Sequence, residues 1–154
     1  MKYVHTNIIS EDWRALAHFY TEVFDCQLVP PERNQSGKWL DTCTGVVNAQ
    51  IKGVHLRLPG YGEEGPTLEI YSYSEMKEKL LPLANRKGYG HIAFEVADVA
   101  STLQQVLKYG GKSVGEISGK SVKGVGYITV VYAQDPEGNI LELQNWNRNY
   151  EENS

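Results

Sequence analysis

VHTNIISEDWRALAHFYTEVFDCQLV, residues 4–29, and GHIAFEVADVASTLQQVLKYGGKSV, residues 90–114, follow one pattern at two well-separated places in the chain. Each opens with a short alternating apolar stretch that carries a histidine. An acidic cap region follows, then an amphipathic helical run and a turn into β-prone residues. In the first copy Ser10 is the expected N-cap, and Trp13, Leu16, Ala17, Tyr20, Val23 and Phe24 recur at helical spacing. In the second, Asp98 is the expected N-cap, Leu103, Val106 and Leu107 form the apolar face, and Gly110-Gly111 ends the helix.

Three β-prone stretches follow each helix. In the first half they lie near Cys26–Val29, Ala49–Leu58 and Pro66–Tyr73. In the second they are Lys112–Ile117, Gly126–Ala133 and Asn139–Trp146, the last two joined by the turn signal Asp135-Pro136-Glu137-Gly138. Residues 60–66, GYGEEGP, read as a hairpin connection. Each half is therefore strand, helix, three strands, and the class is α+β. A short helix or turn is inserted around Trp39–Val46, and Glu75–Arg86 forms the linker. The expected organisation is one domain over residues 1–146, with modules at about 3–74 and 88–146 and a flexible tail at 147–154.

A chain of 154 residues is long enough to bury an apolar core, and 41% hydrophobic with 22% charged residues is the balance of a folded domain. A net charge of −4 argues against nucleic acid as a partner, because phosphate binding needs a basic surface. The opening residues lack the apolar core of a signal peptide, and no apolar run reaches membrane-spanning length. The expectation is a cytoplasmic protein with no membrane partner. Cys26 and Cys43 stand far apart in sequence, in no CxxC pairing, and are expected to be reduced structural thiols.

Strand phase brings out the chemistry, because successive side chains on a strand point to opposite faces. Tyr3, His5 and Asn7 share one phase against Val4 and Ile8. Thr67, Glu69 and Tyr71 oppose Leu68 and Ile70; His91 opposes Ile92 and Phe94; Glu142 opposes Leu141 and Leu143. All four His and Glu residues take the face away from the helices, which becomes concave if the sheets curl. They form two equivalent His/Glu pairs, and the insertion around Trp39–Val46 accounts for the longer separation in the first. Two imidazoles and two carboxylates suit one divalent ion of nickel, zinc, cobalt, iron or manganese. His55 and Arg57 share a phase of the strand VHLRL and are candidate binders of an anionic substrate group. Tyr71 continues the Glu69 phase, and Glu95 that of His91, so both are candidates to line the same pocket. His18, on the outer helix face, reads as solvated.

The repeat, the GHIAFEV strand at Gly90 and the closing DPEGNILEL of Asp135–Leu143 resemble the vicinal oxygen chelate superfamily, which includes glyoxalase I, bleomycin-resistance proteins and extradiol dioxygenases. The resemblance covers about residues 3 to 146. It implies paired βαβββ modules that form an open, cup-shaped mixed sheet with helices on the outer face. It also implies a metal held by His5, Glu69, His91 and Glu142, a set similar to that of bacterial glyoxalase I. The chemistry implied is proton transfer next to a carbonyl through an enediolate, with Glu142 and Glu69 as catalytic carboxylates and Glu142 as the leading base. The substrate would be a small molecule with vicinal oxygens, and the assembly a homodimer. Methylmalonyl-CoA epimerase-like, iron-dependent dioxygenase and non-catalytic binding or resistance functions are the alternatives within the same resemblance.

Overall fold

The computed structural model describes residues 1–150, and its contacts divide the chain into two compact units, Met1–Leu80 and a second beginning at Leu81. The division falls inside the expected linker, which is irregular from Glu75 to His91 apart from isolated turns and bends. No helix among the described residues is long and apolar enough to cross a membrane.

The first unit contains β1 (His5–Ile9), α1 (Trp13–Phe24), β2 (Gln27–Ser36), α2 (Lys38–Thr44), β3 (Gln50–Arg57) and β4 (Thr67–Tyr73). Its strands form a mixed sheet in the order β1-β4-β3-β2, with β1 parallel to β4 and the other pairs antiparallel. α1 buries Trp13, Leu16, Ala17, Phe19, Tyr20 and Phe24 and packs on β3 and β4, where Val54, Leu56, Leu68 and Ile70 are buried. This stripe of apolar residues at helical spacing meeting alternate residues of two strands is the first core.

The second unit contains β5 (Ile92–Glu95), α3 (Val99–Lys108), β6 (Lys112–Ser113), β7 (Ser118–Val122), β8 (Gly126–Gln134) and β9 (Ile140–Asn147). The order is β5-β9-β8-β6, β7 also pairs with β8, and β5 is parallel to β9. α3 packs Val99, Leu103 and Val106 against the sheet whose buried residues include Val131, Ala133, Leu141 and Leu143. The α+β class and the repeated strand-helix-strand order are as the sequence indicates.

Several local expectations are corrected. The cap of α1 is Asp12, whose carboxylate accepts from the backbone N–H groups of Arg14 and Ala15 at 3.1 Å. Ser10 is buried and extends the ladder instead, its N–H donating to the Tyr71 carbonyl at 2.8 Å. Leu107 stays exposed because Val99, Leu103 and Val106 already complete the stripe; Asp98 caps α3 as expected, accepting from Ser101 N at 2.6 Å. His91 stands immediately before β5 and not within it. The insertion around Trp39–Val46 is the helix α2.

The largest departure is at the sheet edges. β2 runs through PPERNQS, and its register against β3 shifts between Val29 and Arg33. In the second unit the same edge is split outright, with β6 pairing Lys112–Ser113 and β7 pairing Ser118–Val122 along β8. Prolines and an SGKSV run without apolar alternation hide both edges from a hydrophobic pattern, because an edge strand need bury neither face. Of the expected tail, Asn147 closes β9, Arg148 ion-pairs with Glu95 at 3.8 Å and the Tyr150 ring lies 5.0 Å from that of Tyr127; residues 151–154 lie outside the described residues.

Candidate metal and proton-transfer site

Backbone register places each His/Glu pair. In the first unit Asn7 is the parallel partner of Glu69, and His5 stands two residues before Asn7. In the second, Ala93 is the parallel partner of Glu142, and His91 stands two residues before Ala93. The two pairs therefore occupy the same place in their sheets. The strand ends match as well: Ser72 Oγ donates to the Ser10 carbonyl at 2.7 Å, and Asn145 Nδ2 donates to the Val96 carbonyl at 2.7 Å. Ser72 and Asn145 each stand three residues after the glutamate of their own pair.

Side chains close both pairs at one distance. His5 Nδ1 lies 3.2 Å from Glu69 Oε1, and His91 Nε2 lies 3.2 Å from Glu142 Oε2. Two donor atoms bound to one ion at about 2.1 Å, with angles between about 90° and 110°, stand roughly 3.0–3.4 Å apart. The spacing and the donor chemistry of each pair thus fit adjacent positions around a divalent ion.

The surroundings of the two carboxylates differ. Glu69 is buried. His55, its direct cross-strand partner on β3, places Nε2 3.2 Å from Glu69 Oε1 and 2.5 Å from the Tyr71 hydroxyl. Arg33 Nη2 lies 3.3 Å from His55 Nδ1, and the Tyr71 hydroxyl donates to Glu69. Burial lowers the His55 pKa from its ordinary value; Glu69 opposes that shift while Arg33 and His5 add to it. Burial and the neighbouring Glu69 charge push the Tyr71 phenol up to about 12. The hydroxyl therefore stays protonated at neutral pH.

Glu142 has Tyr132 as its cross-strand partner, in the place His55 holds beside Glu69. The Tyr132 hydroxyl donates to Glu142, and its pKa is raised by burial and by that carboxylate. The Tyr132 and His91 rings lie 4.7 Å apart. Along β9 the same face continues through Gln144 and Trp146, whose indole N–H donates to Gln144 Oε1 at 3.0 Å.

Among the described residues no group of three or more His, Cys, Asp or Glu side chains is assembled as a metal cluster. His55 Nε2 stands at the same 3.2 Å from Glu69 Oε1 as His5 Nδ1, and its two ring nitrogens also contact Arg33 and the Tyr71 hydroxyl. The other sequence candidates fall as follows. Arg57 is half-buried on the Glu69 face, cross-strand from Thr67. Glu95 is the partner of Gln144 and faces solvent, engaged by Arg148. His18 is exposed and 3.8 Å from Glu22 on the outer helix face. Cys26 is buried with its thiol pushed up to about 12 by burial and then by Asp25, whereas Cys43 is exposed; both are free.

Arg33 and Tyr132 were not singled out by the sequence reading. Tyr132 was legible, since it shares the phase of Ile128 and Val130 in a clear strand. Arg33 was not, since it follows Pro30-Pro31 in a stretch with no readable phase.

The family model for the Glyoxalase/Bleomycin resistance protein/Dioxygenase superfamily matches residues 2–143. A probable lactoylglutathione lyase of Vibrio parahaemolyticus is 27% identical over 143 residues, covering 91% of this chain and 87% of the relative. A probable lactoylglutathione lyase of Synechocystis is 27% identical over 140 residues, covering 91% and 92%. The crystal structure of a glyoxalase family protein from Bacillus cereus is similar in fold, with a TM-score of 0.73 at 19% identity over 95% of this chain and 93% of that one.

Proposed function

Because the chain belongs to the Glyoxalase/Bleomycin resistance protein/Dioxygenase superfamily, we propose that it is a metal-dependent lyase or isomerase of the glyoxalase type, acting on a small molecule with vicinal oxygens. The observation that carries this reading is the pair of His/Glu contacts at 3.2 Å, each built at the same register position of its own sheet. His5, Glu69, His91 and Glu142 would hold one divalent ion of the nickel, zinc, cobalt, iron or manganese class. Such an ion, when bound, supplies charge stabilisation for the oxyanion that develops next to the substrate carbonyl. The name carried by the Vibrio and Synechocystis relatives supports the hemithioacetal of glutathione as the first substrate to test.

In this reading Glu142 moves the proton. It carries fewer constraints than Glu69, with His91 and Tyr132 at its carboxylate where Glu69 has His5, His55 and Tyr71. A ligand that also acts as a base must loosen when substrate arrives, and the less constrained carboxylate is the one suited to that. Tyr132, protonated and donating to Glu142, would steady the carboxylate between those positions.

The test is metal content of protein purified without added metal, followed by turnover of the hemithioacetal formed from methylglyoxal and glutathione. Glu142→Gln is expected to reduce turnover by on the order of 10²–10⁴-fold while leaving bound metal measurable. Unchanged turnover would reject Glu142 as the base. Solvent-deuterium incorporation into methylmalonyl-CoA with no conversion of the hemithioacetal would transfer the assignment to the epimerase class, and oxygen consumption would transfer it to the dioxygenases.

A further inference from the structure

The hydrogen-bond partners of Glu69 have a direction that follows from the chemistry of Arg33. A guanidinium only donates, so the Arg33 Nη2 contact at 3.3 Å requires His55 Nδ1 to be an acceptor without a hydrogen. The neutral ring then carries its hydrogen on Nε2, and that nitrogen is 2.5 Å from the Tyr71 oxygen. Tyr71, accepting from His55, gives its own hydrogen to Glu69, and His55 Nε2 itself stands 3.2 Å from Glu69 Oε1. We infer that Arg33, His55 and Tyr71 form a one-way hydrogen-bond chain that ends on Glu69 and positions this carboxylate as the fixed ligand of the metal. The inference rests on the metal reading of Glu69 given above.

Two features of the fold are built around this chain. Gly53 is the cross-strand partner of both Arg33 and Tyr71. A Cβ at Gly53 would stand 2.0 Å from the Ile70 carbonyl oxygen and 2.4 Å from Tyr71 Cδ1, so the Tyr71 ring lies where only glycine leaves room. The ring also packs against the buried cluster of Leu40, Ala49 and Ile51, of which Leu40 comes from α2. The phenol is thus held beside a bare backbone and a buried apolar cluster, with its hydroxyl bonded to Glu69. In the second unit Val130 holds the place of Gly53, being the cross-strand partner of Gln144 and Ser118, and the groups at Glu142 are the Tyr132 hydroxyl and His91.

Groups that orient a metal ligand typically contribute 10–100-fold in metal affinity. Tyr71→Phe keeps the packed ring and removes the hydrogen bond, so its melting temperature should stay near that of the parent while its affinity for cobalt(II), followed by visible absorption, falls by roughly 10–100-fold. Because His55 also touches Glu69 directly, His55→Ala combined with Tyr71→Phe should lose at least as much cobalt(II) affinity as Tyr71→Phe alone. Parent-like cobalt(II) affinity in Tyr71→Phe, or tighter cobalt(II) binding in the double variant than in Tyr71→Phe, would overturn the inference. A separate readout needs no metal: the ¹⁵N chemical shifts of His55 should report hydrogen on Nε2 and none on Nδ1. A hydrogen on Nδ1 would overturn the chain. Failure of the parent protein to bind cobalt(II) would instead remove the metal reading of Glu69, and with it the positioning role, whatever the His55 tautomer.

Discussion

Glu69 and Glu142 occupy one register position in two copies of the same sheet, yet the structure treats them differently. Glu69 ends a chain of three side chains, with His55 touching it as well. Glu142 has one histidine and one tyrosine. Backbone hydrogen bonding sets where a strand residue stands and which way it faces, and it holds both glutamates in place whatever the side chains around them. The neighbours on adjacent strands are under no such constraint. One scaffold can therefore present two carboxylates of the same type with unequal freedom, which is what a fixed ligand and a movable base require.

The comparison is broken most severely at the carboxylates themselves. Glu142→Gln should lose turnover and keep metal; Glu69→Gln should lose metal first, with a cobalt(II) affinity loss at least as large as that of Tyr71→Phe, or about 10–100-fold. Turnover and metal titration on both variants decide the matter. Identical defects would remove the division of labour.

On the helix side the two units are alike, and there the expectation is equality. Leu68 is 1% exposed and Leu141 is 0% exposed, each buried on the strand that carries its glutamate. Leu68→Ala and Leu141→Ala should each cost about 2–5 kcal/mol in urea denaturation, through lost burial and the cavity left behind. A clearly cheaper substitution in one unit would mark that core as the looser one.

The smallest effects belong to the helix caps. Asp12→Ala should cost about 1 kcal/mol by removing the acceptor for two N–H groups at the start of α1. At Asp98 the Ser101 backbone N–H, and then the Ser101 side chain, hold the carboxyl below its ordinary value of 3.8. The charged form therefore favours the folded chain above that ordinary value, and the contribution disappears as pH falls through the lowered one. Denaturation at a series of acidic pH values should show this loss in the parent chain and a weaker one in Asp98→Asn.

Much of this was legible in the order of residues. Period-two alternation placed Glu69 between Leu68 and Ile70 and Glu142 between Leu141 and Leu143, and the repeated helix stripe marked the buried side of each sheet. His55 was also read onto the correct face, though as a substrate contact and not as a neighbour of Glu69. These are local properties: the phase of a strand follows from its own few residues, and the sequence by itself therefore determined the paired modules and the four candidate ligands.

The tertiary structure alone decided which side chains meet across strands. Arg33 reaches His55 because an irregular, proline-containing edge pairs with β3 after a register shift. Tyr71 stands where Gly53 leaves space for its ring and packs on a cluster that includes Leu40, from an insertion with no counterpart among the described residues of the second unit. Each contact joins residues distant in the chain through register and packing, quantities that no local period encodes. The identity of the carboxylates is written in the strands, and their unequal freedom comes from what the fold sets beside them.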